Sequence, residues 1–155
     1  MSDIPKNNQI QRICRLSYQL NTNLLSINDD PDAFHQEVVF SSGINWLDIY
    51  FTPNKIEYTE PPIEDANGIY YDKKLKISFP NETDSNLALF QSLENSALVL
   101  RLEYSNGNAK LFGSLDYPVH CLIHYSSSND TGFEIEFYSK SPKRSVWLTK
   151  TTNAS

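Results

Sequence analysis

Two hairpins in succession, over residues 97–139, constrain this chain more than any other stretch. Leu98, Leu100, Leu102 and Tyr104 alternate with Val99, Arg101 and Glu103, the period-two signature of a half-buried strand. Ser105-Asn106-Gly107-Asn108 follows. Asn-Gly predicts a type I′ turn, because both central residues of that turn need positive φ, which Asn tolerates and Gly adopts without steric cost. A return strand is expected over 109–112. Beyond Gly113 and Pro118 comes a second pair, with Val119, Cys121, Ile123 and Tyr125 on one face matched by Phe133, Ile135 and Phe137. The polar loop 126–132 joins them.

The flanking sequence adds strands and one helix. Residues 10–20 read as a long strand with Ile10, Cys14, Leu16, Tyr18 and Leu20 on one side and Ile13 out of phase. Residues 21–32 read as a loop, 37–42 and 45–52 as strands around Ser42-Gly43, and 55–59 as a short strand. Paired prolines and Asn67-Gly68 make 60–68 a plain loop before strands at 69–71 and 75–79. In the second of these, Leu75, Ile77 and Phe79 point one way and Lys74, Lys76 and Ser78 the other. Between Pro80 and Ala97 the period changes. Thr83 or Asp84 caps a helix over about residues 84–95, and Leu87, Leu89, Phe90 and Leu93 form its apolar stripe. A basic turn at 140–144 leads to a last strand at 145–149. The expected fold is mainly β, an antiparallel sandwich or barrel with one flanking helix over its open end or face. Its 155 residues suit one domain over 10–150, between a polar N-terminal arm (1–9) and a frayed tail (151–155).

Chemistry-bearing patterns are sparse. A net charge of −6, from 13 basic and 19 acidic residues, argues against a general nucleic-acid binder, which needs a basic face. Lys140, Lys143 and Arg144 form a local basic group at one turn, read as solvated, with contact to a nucleic-acid backbone as the alternative. Asp29, Asp30 and Asp32 cluster around Pro31 but lack the Gly-centred loop and distal Glu of a calcium site, so they read as an acidic turn. His120 and His124 lie roughly 13 Å apart on a strand and cannot chelate one ion together; Glu134 and Glu136 are their expected cross-strand partners, and His35 stands alone. Cys121 faces away from His120, so the two form no dyad. Cys14 and Cys121 read as small buried hydrophobes, with a disulfide between them as the alternative. No phosphate-binding glycine loop or nucleophile elbow is present. Catalytic, cofactor-binding and metal-binding residues are therefore expected to be none. Trp46, Tyr50, Tyr58, Tyr70 and Tyr71 are the remaining candidates, either as a sugar-binding face or as packing. The start Met1-Ser-Asp-Ile-Pro lacks the features of a secretory signal, and no apolar run reaches bilayer-spanning length, so a soluble protein made in a cytoplasm is expected.

Lys110-Leu-Phe-Gly-Ser-Leu-Asp-Tyr-Pro-Val-His-Cys-Leu-Ile-His-Tyr, followed by Gly132-Phe-Glu-Ile-Glu-Phe-Tyr-Ser-Lys140, resembles small virion-associated tail and neck proteins of Bacteroidetes-type phages and prophages. The resemblance covers about the last third of the chain. It implies a non-enzymatic structural subunit of the virion, a homo-oligomeric ring in the tail or head-to-tail connector, contacting copies of itself and neighbouring virion proteins; the net charge of −6 adds the expectation that an acidic channel surface would let DNA slide past with only non-specific contact. Such subunits reach their neighbours with an arm or a long hairpin. The N-terminal arm and the loops at 60–68 and 126–132 are the candidates here. A monomeric carbohydrate-binding β-sandwich is the alternative, and a small hydrolase a third reading without a visible nucleophile or metal set.

Overall fold

The computed structural model describes residues 12–52, 55–79, 84–125 and 133–154. Along them run β1 (Ile13–Leu20), a 3-10 turn (Asn21–Asn23), β2 (Leu24–Asp32), β3 (His35–Phe40), β4 (Leu47–Ile49), β5 (Ile56–Thr59) and β6 (Pro62–Asp65). Then come β7 (Gly68–Phe79), α1 (Asp84–Glu94), β8 (Leu98–Tyr104), β9 (Ala109–Phe112), β10 (His120–Tyr125), β11 (Phe133–Ser141) and β12 (Val146–Asn153). They form a β-sandwich with one flanking helix. The larger sheet has the order β2-β3-β12-β9-β8-β1-β4, and the smaller β10-β11-β7-β5, with β6 also paired to β7. All these pairings are antiparallel except β12 with β3, which brings the end of the described chain beside a strand from its first third.

The alternating sequences place the main core between the sheets. Leu16, Leu98, Leu100, Leu102 and Phe112 from the larger sheet meet Leu75, Ile77, Cys121, Ile135 and Phe137 from the smaller, all buried. The helix adds Phe90 and Leu93 to this core. Its Glu94 carboxylate accepts a 2.9 Å hydrogen bond from the Ile123 amide, satisfying an edge donor on β10 that β11 does not use. Two corners tie the sheets together: Leu98 and Val119 exchange backbone bonds of 2.8 Å each, and the Thr52 amide donates to the Ser78 carbonyl at 3.0 Å. The first corner explains Gly113. It has φ +103°, and a Cβ there would lie 2.8 Å from Val119 Cγ2 and 3.2 Å from the Leu98 carbonyl, so backbone passes where a side chain cannot.

A second core lies on the outer face of the larger sheet. Leu24, Val38, Phe40, Val99 and Leu111 are buried there, with Ile44, Trp46 and Leu148 packed against them. Trp46 closes it: its ring meets Phe40 edge-on at 4.9 Å, its Nε1–H donates to Thr151 Oγ1 at 2.8 Å, and the Arg101 guanidinium lies 5.4 Å from its centroid. Consequently β8 is buried on both faces where Val99 lies between Leu98 and Leu100, and only from Arg101 onward does it keep the half-buried pattern its alternation predicts.

Several sequence expectations need correction. A bulge between Ile13 and Arg15 shifts the register of β1, so Ile13 packs on the core and Cys14 is exposed; both cysteines are free thiols. The Asn106-Gly107 turn closes by a bond from the Gly107 amide to the Tyr104 carbonyl, with Gly107 at φ +91°. This is a three-residue loop with glycine in the left-handed position, not the two-residue I′ form. Residues 24–32, read as loop, form β2, an edge strand paired to β3 across two register shifts. Part of the 60–68 loop is β6, and 69–71 joins 75–79 in one twelve-residue strand. Thr151–Asn153, expected to fray, pair with β3, and the Ala154 amide donates to the Phe40 carbonyl. Residues 1–11, the 126–132 loop and the Thr83 cap lie outside the described residues.

Candidate functional site

One end of the sandwich departs from ordinary packing, in an arm and in the mouth at its base. The arm follows from register. β11 pairs with β7 only as far as Ser141 opposite Tyr71, while β6 pairs with β7 from Pro62–Tyr71 out to Asp65–Gly68. Beyond Tyr71 the hairpin is therefore two strands wide. Its turn is fixed by Asp65 Oδ1, which accepts from the Asn67 amide at 2.8 Å, and by Gly68 at φ +119°. Ile69, 56% exposed, is the large apolar side chain the arm carries into solvent.

At the arm's base the space between the sheets turns polar. Inward positions of β7 run Ile77, Leu75, Lys73, Tyr71, and those of β11 run Ile135, Phe137, Ser139, Ser141. Glu60 continues the register of β5, where Tyr58 opposes Leu75 and Thr59 opposes Lys74, and so falls opposite Lys73. From the other sheet come Tyr104, Lys110 and Trp147. The Lys110 ammonium lies 5.7 Å from the Tyr58 ring centroid, 5.8 Å from Tyr104 and 5.1 Å from Trp147, and 3.7 Å from Glu60 Oε1. Cations are attracted to aromatic faces at such distances. Glu60 Oε2 accepts from the Ser145 amide at 3.2 Å, and Tyr58 Oη and Ser145 Oγ share a 2.6 Å hydrogen bond. Arg144 covers Tyr71 at 4.7 Å.

Burial sets the electrostatics of this mouth. Removal from water pushes the Tyr58 and Tyr104 hydroxyls above their ordinary pKa, the negative charge of Glu60 adding to both. Lys73 is only 5% exposed, and burial pulls its ammonium below 10.5; Glu60 opposes the shift and Lys110 reinforces it. Among the described residues Lys73 has no hydrogen-bond or ion-pair partner.

The candidates singled out from the sequence do not converge. Trp46 closes the outer core, Tyr50 is exposed after β4, Tyr58 stands in the mouth, Tyr70 lies under Lys140 and Tyr71 under Arg144. His124 is opposite Glu134 as expected, whereas His120 is opposite Tyr138, with rings 5.8 Å apart. The three aspartates each have a separate partner: Asp29 accepts from Gln36, Asp30 from Thr149, and Asp32 from the Phe34 and His35 amides and the His35 ring. Burial, with Glu94 adding to it, pushes the Cys121 thiol up to about 12, which disfavours the thiolate. Among the described residues no group of three or more His, Cys, Asp or Glu is placed to hold a metal ion, and no helix is long and apolar enough to cross a membrane.

Sequence reading missed Lys73 and Lys110. Lys73 carried a signal, since it shares the parity of Leu75 and Ile77 and so belongs to the inward row. In comparisons with known proteins, no family model matches this chain, and no curated protein or solved structure matches it significantly.

Proposed function

We propose that this protein is a non-enzymatic structural subunit of a phage virion, a ring-forming component of the tail or head-to-tail connector that assembles through its projecting hairpin. The arm carries the reading. A two-stranded hairpin standing alone is marginally stable in water, so an arm with regular strand pairing and an exposed Ile69 gains stability by lying against another surface. In a homo-oligomer that surface is the next copy. Arm and receiving surface differ, so the contact is heterologous, and such contacts close into rings when the rotation closes. The open edge of β4, next to the exposed Tyr50, offers strand hydrogen-bonding groups for it. The C-terminal resemblance supports the virion setting, and a net charge of −6 suits a lumen that DNA slides through.

Light scattering across a concentration series tests this. The wild type is expected at a multiple of 17.8 kDa with rings in negative stain, and a variant with residues 63–69 replaced by a two-residue turn at one subunit mass with an unchanged circular dichroism spectrum. Wild-type protein at 17.8 kDa at every concentration, or rings that survive loss of the arm, overturns the reading.

A further inference from the structure

We propose that the mouth between the sheets binds an anionic sugar, a sugar acid or sugar phosphate, whose oxyanion is held by Lys73 and Lys110 while its ring lies on Trp147. Lys73 carries the argument. It continues an inward row of Ile77 and Leu75, is 95% buried by its 5% exposure, and lacks a partner among the described residues. The Lys73 side chain is buried along its stem while its ammonium keeps contact with water at the mouth; that partial loss of hydration is uncompensated by hydrogen bonds within the described chain, and an apolar side chain of similar length would serve packing better. Charge makes the same point. Lys73 and Lys110 both lie within the field of Glu60, the one carboxylate among the described residues that pairs with either: its Oε1 is 3.7 Å from Lys110 Nζ and its Oε2 accepts from the Ser145 amide. One positive charge is left over at the mouth, and a carboxylate or phosphate entering between Lys73 and Lys110 neutralises it. Trp147 is 36% exposed and 5.1 Å from Lys110, so a flat surface lies next to the cation and opens to solvent. Sugar rings stack on such surfaces while an attached anion reaches inward. The site does not depend on the arm's assembly.

The test is titration of the full chain with glucuronate, glucose 6-phosphate and neutral glucose, followed by tryptophan fluorescence and thermal unfolding. Saturable quenching and a raised melting temperature are expected with the anionic probes and not with glucose, and the tighter of the two names carboxylate or phosphate as the anion. Lys73→Met is expected to bind that probe about tenfold more weakly or worse, while melting higher than the wild type without ligand. Lys110→Met provides a second variant with the same loss of binding. Lys76→Met, on the opposite face of β7, is expected to bind as the wild type does. Absence of a response to both anions, wild-type binding by Lys73→Met, or a lower melting temperature for Lys73→Met overturns the proposal.

Discussion

At the scale of single residues, position within an alternating row decides what a side chain does. Lys74 and Lys76 are exposed as their alternation with Leu75 and Ile77 predicts, whereas Lys73 shares the apolar parity and is buried. Its ionisation gives a pH signature with a definite sign. Burial lowers its pKa, so between that lowered value and 10.5 the unfolded chain holds more protons than the folded one, and stability contributed at this site rises with pH. Below the window the whole cost of the partly desolvated charge applies. The advantage of Lys73→Met over the wild type in urea unfolding is therefore expected to be constant near neutrality and to shrink as pH approaches 10.5; a difference that stays flat through the alkaline range contradicts it. Cys14 shows the opposite limit of row reasoning. One bulged residue in β1 reverses the faces of its neighbours, and the sequence marks that only by Ile13 falling out of phase.

At the scale of elements, strands with strong local signals appear where alternation and turn residues put them. β8, β9, β10 and α1 match within about two residues, because period, Asn-Gly and the helical stripe are local quantities. β2 and β6 do not, since both are peripheral strands whose pairing comes from a neighbour rather than from their own pattern. Residues 45–46, read as the start of a strand over 45–52, lie instead in the loop before β4, where Ile44 and Trp46 cover the outer core. Trp46→Ala removes the ring contact with Phe40, the hydrogen bond to Thr151 and the surface under Arg101. A loss of about 3 kcal/mol in chemical denaturation is expected, with a native-like circular dichroism spectrum before the transition. A loss under about 0.5 kcal/mol, typical of ordinary surface positions, contradicts the lid role.

At the scale of the whole molecule, the parallel pairing of β12 with β3 joins the last described strand to the first third of the chain. Thr151 holds Trp46, Asn153 donates to the Ser41 and Ile44 carbonyls, and the Ala154 amide reaches Phe40. Deleting residues 151–155 is accordingly expected to reduce stability by more than about 2 kcal/mol, as the strand pairing of Thr151–Asn153 with β3 is lost together with the Thr151 and Asn153 side-chain bonds. Equal urea midpoints for the truncated and full chains contradict this. The same global view places the arm and the mouth at one end of the sandwich, where β6 and β7 outrun β11 and the inward rows turn from Leu and Phe to Lys and Ser.

By itself the sequence determined the β class, the hairpins at the centre of the chain, the helix and the apolar rows that become the main core, because each depends on the repeat of side chains along a few neighbouring residues. Tertiary structure decided the rest. Which strands meet, that Val99 is buried on the outer face of β8, that Trp46 covers a second core, and that Lys73 and Lys110 share a mouth with Glu60 all depend on contacts between segments far apart in the chain. No local pattern encodes such contacts, because a strand's alternation specifies two faces without specifying what will lie against either.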